Sequence, residues 1–167
     1  MRWLVLVWIL ASASTSDAVV SGKRIAVPEY ACTVIDAGLY KKTGSSVRYE
    51  DPTSVTGERF ELDEVEFTKQ TKTILMQVGR GFGIRYRIDG LPTDRAFEIT
   101  WRITYPRPGV HDVAGWEHRF DERSASGDLG GFLLYDFVYA WEMVRGVWRF
   151  QVLVDNVPTC NFTFQAK

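Results

Sequence analysis

Apolar and polar residues alternate along most of this chain from Gly81 onward. Phe82, Ile84, Tyr86 and Ile88 interleave with Gly83, Arg85, Arg87 and Asp89; Phe97, Ile99, Trp101, Ile103 and Tyr105 interleave with Glu98, Thr100, Arg102 and Thr104. The pattern returns in Leu133, Tyr135, Phe137, Tyr139 and Trp141, in Trp148, Phe150, Val152 and Val154, and in Cys160, Phe162 and Phe164. A period of two sends successive side chains to opposite faces of a strand. Several strands with one apolar face each hide those faces by closing on one another. The pattern predicts an all-β protein, an antiparallel, immunoglobulin-like β-sandwich of about eight or nine strands. No segment shows the 3.6-residue period of an amphipathic helix.

The N-terminal half reads less regularly. Residues 29–41 predict a first strand with Gly38 as a bulge or kink. Residues 42–57, rich in Thr, Ser, Gly and Pro, predict a polar loop or short hairpin. Residues 60–67 predict an edge strand whose acids discourage edge-to-edge pairing, and residues 71–78 a strand with Ile74, Met76 and Val78 on one face. Residues 89–94 read as a hairpin turn between two strong strands. Residues 106–131 read as a long irregular region with a short strand at 116–120, and Asp155-Asn156 as a tight turn.

The first residues predict export. Met1 and Arg2 precede a uniformly apolar run, residues 3–10, and then small residues at 11–14, the layout of a secretory signal peptide. The run is shorter than the ~20 residues a membrane-spanning helix needs. The expected cleavage follows Ala18, with Ala13 as the alternative, leaving residues 19–167 as a single domain. A periplasmic or secreted location follows, without stable membrane insertion after cleavage. Cys32 and Cys160, distant cysteines in an oxidising compartment, predict one structural disulfide in place of a redox pair. The net charge of −1 argues against nucleic acid as a partner.

Catalytic motifs are missing. Gly79-Arg80-Gly81-Phe82-Gly83 resembles a phosphate loop, but a strand follows it where a helix is needed. No GxSxG elbow or HExxH helix occurs. The 106–131 region holds both histidines, His111 and His118, among Asp112, Glu117, Asp121, Glu122 and Asp128, a set able in principle to bind a metal or move protons. Its spacing matches no metal motif, so neither metal nor cofactor is expected. Trp116 is a candidate exposed anchor for a partner or sugar, although a loop tryptophan more commonly folds back to cover the end of the sandwich. Arg85, Arg87, Arg102 and Arg149 occupy outward positions and would form a basic stripe if their strands were neighbours. Asn161-Phe162-Thr163 fits a glycosylation acceptor, although a strand interior suits it poorly.

The segments Gly81-Phe82-Gly83-Ile84-Arg85-Tyr86-Arg87-Ile88-Asp89-Gly90, Trp141-Glu142-Met143-Val144-Arg145-Gly146-Val147-Trp148-Arg149-Phe150-Gln151-Val152 and Phe162-Thr163-Phe164 resemble a family of exported bacterial proteins classed as a domain of unknown function. The resemblance runs from about Arg80 to the C-terminus, with the part before it matching loosely. It implies an exported β-sandwich and carries over no functional residue. The leading expectation is a non-catalytic binding or accessory module for an unknown protein or glycan partner. The alternative is a small extracytoplasmic enzyme or metal-binding protein using the 106–131 loop. A third, a lipocalin-like barrel, would need an unfilled interior, against the many inward aromatics.

Overall fold

The computed structural model describes residues 30–91, 95–112, 114–126 and 130–167. The expected signal peptide, residues 1–18, lies outside them, as do residues 92–94 of the expected turn and Asp128. The described residues form thirteen strands: β1 (Ala31–Lys42), β2 (Ser46–Glu50), β3 (Glu58–Leu62), β4 (Val65–Gln70), β5 (Thr73–Ile74), β6 (Gly81–Asp89), β7 (Glu98–Thr104), β8 (Val110–His111), β9 (Glu117–His118), β10 (Phe120–Ser126), β11 (Gly130–Asp136), β12 (Gly146–Val154) and β13 (Val157–Ala166). A 3-10 turn, Ala140–Glu142, follows β11. One sheet has the order β11-β6-β1-β4 and the other β10-β7-β12-β13-β5. Two small ribbons, β2-β3 and β8-β9, account for the strands beyond the eight or nine that the alternation predicts.

The two sheets pack through the residues that the period of two marks as inward. Phe82 of the first sheet sits with its ring centroid 5.7 Å from Trp148, 5.5 Å from Phe150 and 5.3 Å from Phe164 of the second. Ile84, Phe137, Trp148, Phe150, Val152 and Val154 are sealed from solvent. The interior is therefore a packed aromatic core, not a ligand-holding barrel. Cys32 on β1 and Cys160 on β13 are bonded across the sheets, Cα to Cα 5.3 Å. Gly38 is a point of close approach: a Cβ there would lie 1.9 Å from the Lys69 carbonyl oxygen, and its φ is +152°. The register shifts that bend β1 lie beside it, at Leu39/Tyr40 and Val34/Asp36. Asp155 and Asn156 adopt φ of 47° and 65°, as a tight β12–β13 hairpin requires.

Four expectations are corrected. The 60–67 segment divides: its first residues belong to the β2-β3 ribbon and its last ones begin the edge strand β4. The 71–78 strand shrinks to Thr73–Ile74, parallel to β13, with one further backbone bond from the Met76 amide to the Lys167 carbonyl (3.1 Å). Beyond it Leu75 and Val78 are exposed. β6 and β7 do not pair as the hairpin expected across 89–94: β6 is flanked by β1 and β11, β7 by β10 and β12, in different sheets. The 106–131 region is not irregular throughout: β10 pairs with β7 over its whole length, and β8-β9 forms a ribbon beside it.

Candidate functional site

β10 and β11 are the edges of opposite sheets on one side of the sandwich, leaving that side open. The β2-β3 ribbon and its connecting loop lie across it as a strap. The loop is self-bracing. The Asp51 carboxylate accepts hydrogen bonds from the Thr53 amide (3.0 Å) and hydroxyl (2.6 Å), and the Asp51 amide donates to the Gly57 carbonyl (3.0 Å). The Thr53 hydroxyl foremost, with the Thr53 amide and Arg59, holds the half-buried Asp51 carboxyl below its usual range. The loop carries Val55, 2% exposed, into the core as a plug.

Beneath the strap runs a chain of buried polar groups. The Val55 amide donates to Asp121 Oδ1 (3.3 Å), and the Tyr105 hydroxyl donates to Asp121 Oδ2. The Tyr105 and Tyr135 rings meet edge to face, centroids 5.9 Å apart. Tyr135 donates to Glu142 Oε1 (2.8 Å), and the Tyr139 amide donates to Glu142 Oε2. Glu142, fully buried, is placed by the 3-10 turn, while Asp121 comes from β10. Burial pushes both carboxyls above their usual range. It pushes the two phenols up as well, with their acidic neighbours adding to the effect.

The strap, β7, β10 and β11 enclose a cleft of about 540 Å³ with Asp121, Tyr135 and Glu142 in its wall. Tyr40, Tyr86, Trp101 and Phe132 add aromatic surface, and the Trp101 indole N–H donates to the Tyr86 hydroxyl (2.6 Å). The remaining carboxylates around the cleft are engaged as well. Asp51 meets Arg59 at 3.3 Å, Glu61 meets Arg59 at 3.8 Å and Arg123 at 3.7 Å, and Asp136 meets Lys42 at 3.0 Å. Glu58 pairs with Arg48, Glu122 with Arg102, and Asp63 accepts from the Ser45 hydroxyl.

The residues marked in the sequence do not converge on this cleft. Arg85 and Arg87 lie on the first sheet, Arg102 and Arg149 on the second, so the four form no single stripe. Arg85 pairs with Asp36 at 3.3 Å, and Arg87 with Asp89 at 2.9 Å. His111 and His118 sit on β8 and β9, where the pairing sets His111 opposite Glu117 and His118 opposite Val110, so alternation turns them to opposite faces of the ribbon. His118 Nε2 lies 2.9 Å from Asp112 Oδ2, and among the described residues no group of three or more ligating side chains is placed to hold a metal. His118 leads, with two backbone amides, in holding the half-buried Asp112 carboxyl below its usual range. Trp116 is 74% exposed at the ribbon's turn. Of the described loop acids, Asp121 alone joins these buried polar groups. Tyr105 and Tyr135 read in sequence as plain core residues, and the sequence signal for Glu142 was a lone acid in the largely apolar run 137–144.

A family model described as a domain of unknown function (DUF3859) matches residues 30–166, extending the likeness through the N-terminal strands. No curated protein matches the chain. The crystal structure of an immunoglobulin-like protein from Pseudomonas aeruginosa is similar in fold, with a TM-score of 0.50 and 19% identity over 77% of this chain and 96% of that one.

Proposed function

We propose that this chain, which belongs to the DUF3859 family, is an exported, non-catalytic binding or accessory module, periplasmic or secreted, whose ligand seat is the cleft under the strap. One observation carries the reading. The cleft, about 540 Å³, is walled by aromatic rings and by carboxylates that already have protein partners. That volume suits a small ligand. Engaged carboxylates recognise a cation poorly, whereas aromatic faces beside fixed hydroxyls and backbone groups suit a neutral polyhydroxylated ring. A glycan is therefore the preferred partner and a protein surface the other; nucleic acid is not among the partners proposed. The Cys32–Cys160 disulfide supports an oxidising compartment. Among the described residues no helix is long and apolar enough to cross a membrane.

The test is a titration of the folded chain with bacterial envelope oligosaccharides, followed residue by residue by NMR. Shifts centred on Trp101, Gly131 and Phe132 are expected. A response confined to Trp116 or Arg149, or none with any oligosaccharide, rejects the cleft as a glycan seat. The competing enzyme or metal-site reading of the 106–131 loop predicts that replacing His111 and His118 by alanine abolishes a biological function with the fold intact. The module reading expects that function to survive.

A further inference from the structure

Away from the strap, the end of the β7–β12 ladder gathers positive charge that nothing in the fold balances. The two strands pair as far as Thr104 opposite Arg149, and there the ladder stops. The Tyr105 amide turns to the other side and donates to the Arg119 carbonyl (3.0 Å). The next residue to turn towards β12 is Pro106, which has no N–H to give. The strands part at that point. Gly146 lets β12 begin hard against the proline: a Cβ at Gly146 would lie 2.7 Å from the Pro106 Cβ, and its φ is +133°. The parting leaves a groove of about 360 Å³, lined by Pro106, Gly146, Thr104, Val147 and three arginines, Arg107, Arg145 and Arg149.

No carboxylate lines this groove. Arg107, Arg145 and Arg149 are exposed, and among the described residues none of them meets a carboxylate, a carbonyl or an aromatic ring. Every other described arginine reaches a carboxylate or, for Arg80, carbonyl and amide oxygens. The register sets Arg149 between Thr104 of β7 and Thr163 of β13, both uncharged. Glu122, an acid of the same outer sheet face, is already taken by Arg102. The arginines left without a partner are thus the ones that share a groove.

We propose that this groove binds a dianionic phosphate group, either free or carried as the monoester of a small molecule. Three positive charges with no internal counter-charge favour an anion of more than one charge over a single carboxylate. A guanidinium offers a planar fork of N–H donors that matches phosphate oxygens in pairs, and the Thr104 hydroxyl adds a donor. Pro106 and Val147 supply apolar surface for the uncharged remainder of an ester. The volume falls in the range of small-molecule pockets, roughly 300–1,000 Å³. The groove shares no lining residue with the cleft under the strap, so it is a second site.

The test titrates the folded chain at low ionic strength with inorganic phosphate, a hexose phosphate monoester and the unphosphorylated hexose, followed by NMR and calorimetry. Both phosphates should shift the Thr104, Gly146 and Val147 amides, the bare hexose should not, and added salt should weaken binding. Tighter binding of the ester assigns a phosphorylated small molecule, and equal binding assigns free phosphate; either supports the groove. Arg145→Gln and Arg149→Gln should each weaken binding by about tenfold or more. Arg87→Gln removes the same charge from the other sheet and should leave binding unchanged. Binding of acetate as tight as that of phosphate, or equal weakening by Arg87→Gln and Arg149→Gln, overturns the proposal. So does a wild type whose groove amides do not respond to phosphate, a result that stands even if a variant fails to fold. Shifts at Trp101, Gly131 and Phe132 report on the strap cleft alone, so the two readings fail separately.

Discussion

Gly38 and Glu142 are single residues that the fold cannot exchange. At Gly38 any side chain meets the Lys69 backbone at 1.9 Å, and the backbone conformation is one that L residues rarely adopt. Gly38→Ala should destabilise the chain by about 2–3 kcal/mol through overpacking of the β1–β4 pair, read as a lower urea midpoint with an unchanged slope. The glycine was legible in the sequence as an interruption of a strand pattern, although not the neighbour that forces it. Glu142→Ala should cost more, about 3–5 kcal/mol, since it strands the Tyr135 hydroxyl and the Tyr139 amide in the interior and leaves a void. A loss no greater than that of an exposed substitution would show that water replaces the carboxylate. Nothing local distinguished Glu142. The alternation places it on the outward phase beside Trp141, and it is buried because the chain leaves β11 for a 3-10 turn.

Strands were legible as elements because one buried face imposes a period of two, but that period does not say which sheet a strand joins. β6 and β7 have equally strong alternation and a turn-like connection, yet each already has two neighbours in its own layer. For the same reason four arginines with one phase fall on two sheets. The strap was the least readable element. Its ribbon is exposed along β2, so it lacks the alternation that a half-buried strand shows, and its role rests on Val55, a lone apolar residue in a polar loop. Val55→Ala should therefore act on one element. The expected loss is about 1–2 kcal/mol of global stability, from the methyl groups withdrawn from the core. Hydrogen exchange in the strap should rise more than exchange in β6 or β12, because the plug anchors the loop and not the sheets. Uniform acceleration across the molecule would mean that the strap unfolds with the sandwich and is not a separable cover.

At the scale of the whole molecule, the sandwich is set by one aromatic core and one covalent tie. The core was readable from phase: the rings meeting around Phe82 are those the alternation points inward. The tie was readable from Cys160 sharing that phase with Phe162 and Phe164 and from Cys32 sharing the phase of Tyr30 and Val34. The bond joins residues separated by 128 positions, so it ties the first long strand to the last and constrains nearly the whole unfolded chain. Replacing both cysteines by serine should lower stability by about 4–5 kcal/mol on the chain-entropy account. Far-UV circular dichroism should change little, because the packed sheets do not need the bond for their geometry. Reductant provides the internal control. It should move the wild-type urea midpoint to that of the double variant and leave the variant where it was. A midpoint indifferent to reductant, with the bond shown by mass to be broken, would mean that the aromatic core alone sets the stability of this fold.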